Sequence, residues 1–204
     1  MKKAIWDFWA KRYHRLWVQK ESLKPTREYV VDIIQQEFNF GSMSFLDIGC
    51  GPGELINLVK ERIENARITG VDFSRGMLEA SKKKNKEARH LLLDAENLSE
   101  IKEKYDVVAC THSFPYYRDK IKVLNEINRL VKSEGKFIIA FASANNLYDK
   151  MVMSLVKLTT GPAQYPSDEE FRDMIKGNFA VESRHIIRES FYMPTISVYV
   201  LGRI

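Results

Sequence analysis

From residue 44 onward, short apolar runs alternate with longer segments in which apolar residues recur every three or four positions. The short runs predict buried strands, and the periodic segments predict amphipathic helices. Regular alternation of the two is typical of a parallel sheet covered by helices on both faces. The predicted strands are 44–49, 67–72, 89–93, 105–111 and 136–142, and the predicted helices are 54–64, 75–87 and 118–132, with a short helical turn within 94–104.

Before this alternation, the chain predicts helices alone. Residues 4–20 carry an apolar stripe that contains Tyr13, while most of the basic residues fall elsewhere on the helix. Such a stripe could pack across the open end of the sheet, contact a ligand there, or lie on a membrane surface. Pro25 is predicted to end this helix, and Thr26 to cap a second helix that stops before Gly41.

After the fifth strand the pattern changes. Residues 143–166 are apolar over most of the circumference of a helix, with several methionines, and we interpret them as a flap over the substrate side. A core helix and an oligomer contact are the alternatives. Ser167 and Glu170 form a capping-box pattern, which predicts a further helix that ends at Gly177.

The chain closes with two apolar runs, 179–188 and 191–202, which predict a tightly joined antiparallel pair with Pro194 at a bulge or an edge. The predicted class is therefore α/β: a doubly wound, Rossmann-like, mostly parallel sheet of seven strands with a final antiparallel strand and an N-terminal helical cap. We predict one domain, divided into the cap 1–40, a core 41–142, the flap 143–178 and the strand pair 179–204.

Composition agrees with one domain, since the chain has 204 residues, of which 45% are apolar. No apolar run reaches the roughly 18 residues that cross a bilayer. Asp7 and Lys11 interrupt any signal-peptide core, so we expect a cytoplasmic protein without membrane insertion. Cys50 and Cys110 lack the spacing of a disulfide framework or a zinc site and are predicted to be reduced packing residues, with no metal bound.

The net charge is +5, and the densest basic cluster is 82–86. This cluster is either a solvated helix face or a contact to nucleic acid. Charge alone does not decide between the two.

Three glycines follow an acid at the end of the first predicted strand. Asp47 lies within the apolar run, and Gly49, Gly51 and Gly53 alternate directly after it. Glycines are needed where the backbone turns with positive φ or where a ligand lies against bare main chain. Glu54 stands where a dinucleotide fingerprint would carry its third glycine, which argues against a nicotinamide cofactor.

The segment 46–53, LDIGCGPG, closely resembles the first motif of the class I methyltransferases that use S-adenosylmethionine. That family also places an acid at the end of the second strand, which Asp72 matches, and another after the third strand, which Asp94 matches. The resemblance covers 45 to about 142. It implies an S-adenosylmethionine cofactor and methyl transfer to an acceptor.

By this resemblance, the glycine loop would hold the methionine and ribose portion, and Asp72 would accept from both ribose hydroxyls. Asp94 would accept from the adenine amine. Alternatively, Asp72 caps the next helix and Asp94 is only a turn residue. The implied cofactor-binding residues are Tyr13, Asp47, Gly49, Cys50, Gly51, Gly53, Asp72, Phe73, Met77, Asp94, Ala95 and Thr111.

The implied reaction is an in-line displacement that leaves a neutral thioether, so most of the rate could come from positioning. His112 follows the fourth strand and is the first candidate for a general base, the alternative being that it only orders its loop. His14, Tyr13, Tyr116 and Tyr117 are candidates for contacts to the sulfonium or the acceptor.

Residues 113–116, SFPY, are similar to the loop [N/D/S]-P-P-[Y/F/W] of methyltransferases that act on amino groups, but Phe114 replaces the first proline. This departure favours a small-molecule acceptor over a nucleobase amine. We therefore expect a methyltransferase for small molecules, either a monomer or a homodimer. An RNA or tRNA methyltransferase and a non-catalytic S-adenosylmethionine-binding regulator are the alternatives.

Overall fold

The computed structural model describes residues 6–7, 23–38, 42–160, 162–188 and 193–204, with the side chains of 158–160 excepted. The strands β1 to β7 are Ser44–Ile48, Arg67–Asp72, Arg89–Leu92, Tyr105–Thr111, Val131–Ala142, Phe179–Ile187 and Ile196–Arg203. The helices α1 to α6 are Lys24–Glu37, Glu54–Arg62, Arg75–Lys84, Lys120–Leu130, Leu147–Thr160 and Asp168–Ile175. Two short 3-10 helices span Ala95–Glu100 and Phe114–Tyr116.

One sheet contains all seven of these strands, in the order β3-β2-β1-β4-β5-β7-β6. Neighbours from β3 to β5 are parallel, whereas β7 is antiparallel to both β5 and β6. The predicted fold class is confirmed, including the antiparallel final strand. Because the chain leaves β1 in one direction and returns through β4 on its other side, the order reverses between these two strands, where ligands bind in such sheets.

The central strands of the sheet are buried on both faces, which explains why they are apolar at successive positions. On one face, Phe45 of β1 packs with α1, α2 and α5, for example with Ile34 and Met153. On the other face, Leu46 packs in the cluster that includes Leu124 of α4 and α6 side chains. The side chains of β1 therefore fix both layers and hold its carboxyl end in place.

Helix α1 begins earlier than predicted. It starts at Lys24, so that Pro25 lies in its first turn and Thr26 is a buried residue within the helix and not its cap. Proline is well accommodated in a first turn because its missing N–H has no intrahelical acceptor there. Of the predicted helix 4–20, the structure describes Trp6 and Asp7, both helical; the rest, with Tyr13 and His14, lies outside the described residues, as does Gly41.

The return from α4 into β5 also differs from the prediction. Strand β5 begins at Val131, directly after the helix, five residues before the predicted start at Lys136. Tyr105 pairs with Val131 while Val107 pairs with Lys136, so a bulge in β5 takes up the intervening residues. The predicted break is therefore an irregularity within the strand.

The capping box that starts α6 is present as predicted. The Ser167 hydroxyl accepts from the Glu170 N–H, and the Glu170 carboxylate accepts from the Ser167 N–H. Pro194 is neither in a bulge nor on an edge strand, because β7 starts at Ile196 and lies between β5 and β6. An interior strand uses N–H groups on both sides, and proline supplies none, so it is accommodated only ahead of the strand. Strand β6 ends at Ile187 and β7 begins at Ile196, where the prediction has the two strands at 179–188 and 191–202; residues 189–192 lie outside the described residues.

None of the described helices has both the length and the apolar character that a membrane-spanning helix needs. Cys50 and Cys110 are both free and buried. Lys82, Lys83 and Lys84 lie in the last turn of α3, where cations interact favourably with the helix dipole.

Candidate functional site

The glycine loop joins the end of β1 to the start of α2. All three glycines have positive φ: 74° at Gly49, 53° at Gly51 and 79° at Gly53. Two of them are also enclosed by neighbours. A Cβ on Gly49 would lie 2.5 Å from the Ser113 side chain, and one on Gly53 would lie 2.2 Å from the Ser81 hydroxyl oxygen. These two glycines therefore allow the loop to pack closely against the rest of the protein.

Gly51 differs from both, because a Cβ built on it would meet nothing within 4 Å. Its backbone faces open space, which fits a ligand lying against bare main chain. The Gly51 N–H also donates to the Asp72 carboxylate, at 2.9 Å between nitrogen and oxygen. The loop is thus tied to the end of β2 while its outer surface stays accessible.

Asp72 is almost fully buried at the end of β2. Its second carboxylate oxygen accepts from the Ser74 N–H at 2.8 Å. Burial raises the pKa of Asp72 to about 6, although the N–H groups of Ser74 and Gly51 oppose this shift. Since each carboxylate oxygen can accept more than one hydrogen bond, two acceptor positions remain for a pair of hydroxyls.

A cavity of about 490 Å³, part of which is open to solvent, lies beside this loop at the point where the strand order reverses. It is lined by Trp6, Gly49, Gly51, Asp72, Phe73, Met77, Thr111, His112, Ser113, Tyr116 and Tyr117. Six of these residues belong to the predicted cofactor site: Gly49, Gly51, Asp72, Phe73, Met77 and Thr111.

A second cavity of about 330 Å³ adjoins the first, and the two share Gly49, Gly51, Thr111 and His112. Asp47 and Cys50 line this second cavity. We call the two cavities together the cleft.

Asp47 is 1% exposed, and its Oδ1 atom has no hydrogen-bond partner within the protein. Burial raises the pKa of Asp47 to about 7, the charge of Asp72 adds to this shift, and Arg27 opposes it. A buried carboxylate oxygen without a donor is unfavourable. An ammonium group bound in the cleft would supply the missing donor, so the residues present fit the amino-acid end of S-adenosylmethionine.

Arg27 of α1 lines the second cavity beside Asp47. Arg27 is not among the site residues predicted from the sequence. Nothing in the spacing of α1 marks it, because its position depends on how α1 packs over the sheet. A guanidinium and a carboxylate in one cavity complement the carboxylate and the ammonium of an amino acid.

His112 follows β4 and lines both cavities. It has a positive φ of 61°, and its N–H donates to the Ala140 carbonyl at 2.7 Å. Its Nε2 atom is buried without a hydrogen-bond partner in the protein. Burial, with a smaller effect of Arg27, lowers the pKa of His112 to about 3. The imidazole is therefore neutral and only weakly basic at pH 7.

Of the two described residues of the N-terminal segment, Trp6 lines the larger cavity and Asp7 contacts the start of α3. Asp7 accepts from the Ser74 hydroxyl at 2.5 Å and from the Gly76 N–H at 3.1 Å, at the N-terminus of α3. The Trp6 ring meets the Tyr116 ring edge to face, with centroids 5.1 Å apart. The predicted cap thus contacts the ligand side of the sheet at these two positions, and Tyr13 lies outside the described residues.

Three predicted cofactor residues do not line the cleft. Gly53 packs against α3, and Ala95 is buried in the core. Asp94 accepts from the Glu96 N–H at 3.1 Å and so caps the 3-10 helix that follows β3. Its predicted role towards adenine stays a prediction.

The loop after β4 is held by its own hydrogen bonds. The Ser113 hydroxyl donates to the Ile48 carbonyl at 3.0 Å and accepts from the Tyr117 hydroxyl at 2.8 Å. Phe114 is fully buried among aromatic side chains. These contacts connect the end of β1 to the loop and fix one wall of the cleft.

A methyltransferase-domain family model matches residues 46–139, a segment that holds the glycine loop, Asp72 and the loop after β4. This segment belongs to the class I S-adenosylmethionine-dependent methyltransferase family. The crystal structure of magnesium protoporphyrin IX methyltransferase from Synechocystis PCC 6803 with bound SAH has a TM-score of 0.78, 18% identity, and coverage of 99% of this chain and 100% of that one. At this identity the likeness shows the fold.

Curated relatives of this chain include a demethylmenaquinone methyltransferase of Thermotoga maritima. It is 30% identical over 113 residues, which are 55% of this chain and 48% of the relative. A malonyl-[acyl-carrier protein] O-methyltransferase of Acetivibrio thermocellus is 31% identical over 153 residues, which are 73% of this chain and 52% of the relative. The chain thus spans about half the length of these relatives.

Proposed function

We propose that this chain transfers a methyl group from S-adenosylmethionine to a small-molecule acceptor. The observation that carries the proposal is the pairing of Gly51 and Asp72. Gly51 presents bare backbone to the larger cavity, and Asp72, bound to the Gly51 N–H, keeps acceptor positions for two hydroxyls. Asp47 and Arg27 would hold the amino-acid end, and Phe73 and Met77 would pack on the base.

When bound, S-adenosylmethionine supplies a methyl group on a positively charged sulfur. The acceptor's lone pair forms the new bond to that carbon, while the electrons of the carbon–sulfur bond stay on sulfur, which leaves as a neutral thioether. No acid is required, so the protein contributes by alignment of the two reactants. Asp72 and Asp47 would fix the two ends of the cofactor. The aromatic side chains that line the larger cavity would position the acceptor.

The acceptor wall is aromatic. Trp6 and Tyr116 meet edge to face at its rim, and Tyr117 lies deeper in the larger cavity. Flat apolar walls of this kind suit an aromatic ring. The relative named as a demethylmenaquinone methyltransferase agrees with such an acceptor, and we therefore propose a phenol- or quinol-type ring as the acceptor class.

The hydrogen bonds that the Ser113 hydroxyl already makes favour a small-molecule acceptor over RNA. Its hydroxyl is already engaged with Ile48 and Tyr117, and Phe114 is buried where the amino-group loop would carry a proline. The basic cluster ends a helix, and Lys84 pairs with Glu54. These contacts give a structural role both to the loop after β4 and to the basic cluster 82–86.

His112 keeps a proposed role at the site, as a positioning residue. With a pKa of about 3, its imidazole accepts a proton poorly at pH 7. Its unpartnered Nε2 atom instead offers a hydrogen bond to a ligand that spans both cavities. A quinol or phenol acceptor would lose its proton to water. His112→Gln should then lower kcat without changing the acid limb of the pH profile, whereas a shifted limb would indicate a proton-transfer role.

The test has two stages. Calorimetry with S-adenosylmethionine and with NAD measures which cofactor binds, and only the first should do so. A labelled-methyl assay then compares phenols and naphthoquinols with tRNA, with Asp72→Asn as the control of weakened cofactor binding, which should lower the rate of transfer at low S-adenosylmethionine concentration. Transfer to tRNA alone would contradict the acceptor class, and tight cofactor binding without transfer to any acceptor would favour a regulator.

We also propose that the chain is one domain with the cap, core, flap and strand pair at their predicted bounds, and that it acts in the cytoplasm. The two buried free thiols, Cys50 and Cys110, support a reducing compartment. Limited proteolysis that gave two separately stable fragments would contradict the single domain.

A further inference from the structure

Helix α5 carries an exposed apolar stripe. Leu147, Met151 and Leu155 are 78%, 61% and 63% exposed, and their spacing of four residues places them on one face of the helix. The opposite face is packed, since Met153 is buried in the core cluster beneath. Large apolar side chains that are exposed next to one another indicate a surface that binds a protein or a membrane.

The charges around this stripe are basic. Lys150 and Lys157 are exposed on α5, and the Arg188 guanidinium lies over the Tyr148 ring at 5.8 Å from its centroid. The one acid of the helix, Asp149, is fully buried and accepts from the Thr195 N–H at 3.2 Å.

Asp168, which is held to Asn145 near the start of α5, is paired with Arg184. Of the described acids that contact α5 or the segment before it, Asp149 is thus buried and Asp168 is neutralised by Arg184. The exposed face of α5 combines apolar side chains with positive charge.

We propose that α5 lies on an anionic membrane surface, with the stripe among the acyl chains and the lysines against lipid phosphates. Charge complementarity selects this occupant, because basic residues beside an apolar stripe are the pattern of a helix in the membrane interface. The helix has 14 residues, too few to span a bilayer, so it lies flat.

The same helix leads directly to the acceptor wall. Beyond its end, the Gln164 N–H donates to the Pro115 carbonyl at 2.8 Å, and the hydroxyls of Tyr165 and Tyr116 are 3.3 Å apart. Tyr116 lines the larger cavity. A membrane-bound α5 would thus place the cleft beside the bilayer, so that an acceptor dissolved in lipid reaches it directly. This last step rests on the proposed function, whereas the membrane contact does not.

Vesicle flotation of the full chain without cofactor tests the contact. Vesicles of phosphatidylcholine alone are compared with vesicles of equal parts phosphatidylcholine and phosphatidylglycerol. We expect binding to the anionic vesicles, reduced at least about tenfold by the triple variant Leu147→Gln, Met151→Gln, Leu155→Gln. Lys150→Gln should reduce it about fivefold at low salt. Ile121→Gln, which changes a 48% exposed residue on α4, is the matched control and should bind as the wild type does.

Equal vesicle binding by the triple variant and the wild type would overturn the proposal. So would a wild-type dimer in sedimentation that the triple variant loses, because a second copy would then cover the stripe. Calorimetry with S-adenosylmethionine on the triple variant separates this question from the proposed function. Unchanged cofactor affinity with lost vesicle binding assigns the effect to α5 alone.

Discussion

A valine at Gly51 tests whether the open backbone of the loop is the ligand surface, and Gly177 provides a matched control. Both glycines have positive φ, 53° and 83°, and an added Cβ at either would meet nothing within 4 Å. The left-handed conformation costs a side-chain-bearing residue about 1–2 kcal/mol. Gly51→Val and Gly177→Val should therefore destabilise the fold similarly, with Tm lower by about 2–8 °C.

Their effects on the cofactor should differ. Gly51 lines both cavities, and its N–H is fixed to Asp72, so the valine methyl groups would project into the space meant for the nucleoside. We expect Gly51→Val to weaken S-adenosylmethionine binding at least about hundredfold, or about 2.7 kcal/mol. Gly177 follows α6, away from the cleft, and its variant should bind normally in calorimetry at a temperature where both proteins are folded.

Two results would refute this reasoning. Normal affinity in Gly51→Val would show that no ligand lies against this backbone. Equal loss of affinity in both variants would show that strain in the fold, and not obstruction of the cleft, governs binding.

Three further predictions concern the charged groups. Asp72→Asn should weaken S-adenosylmethionine binding by about 1.5–3 kcal/mol, measured by calorimetry, because the amide directs a donor towards the N–H of Gly51 or Ser74. Binding of the ammonium should lower the pKa of Asp47 from about 7, so binding at pH 7 should release about half a proton, measurable in buffers of different ionisation enthalpy; proton uptake would contradict this. Arg27→Met should weaken S-adenosylmethionine binding about tenfold and leave adenosine binding unchanged, and equal losses would exclude contact with the amino-acid end.

The parts of the site that follow from local sequence were predictable. Glycines that need positive φ and acids that end apolar strands leave marks in a short window, and the parallel sheet then brings Asp47 and Asp72 to one edge. The sequence did not separate the roles of the glycines. At Gly53, side chains of α3 and its end leave no room for a Cβ, and α3 comes from a later part of the chain. At Gly51, the backbone faces open space in which a ligand could lie.

Residues positioned by packing between distant segments were not predictable. Arg27 reaches Asp47 only because α1 crosses the same face as α2, and Asp7 reaches Ser74 from 67 residues away. The errors at Thr26 and Pro194 have the same origin. Local residue preferences predicted a helix cap at Thr26 and a strand irregularity at Pro194. The ends of these elements are instead set by the packing of α1 and by the position of β7 inside the sheet.

The two buried acids make the ligand-free protein sensitive to pH in a definite direction. The pKa of Asp72 is raised from 3.8 to about 6, so this carboxyl group ionises at a lower pH in the unfolded chain than in the folded protein. As the pH rises between these two values, the free energy of unfolding therefore falls by about 3 kcal/mol. Because the pKa of Asp47 is raised to about 7, the loss of folding stability continues up to about pH 7. A ligand that brings hydroxyl donors to one acid and an ammonium to the other stabilises their ionised forms. The increase in Tm caused by S-adenosylmethionine should therefore be larger at pH 8 than at pH 5.5, and an increase that shrinks with pH would show that the ligand does not contact these carboxylates.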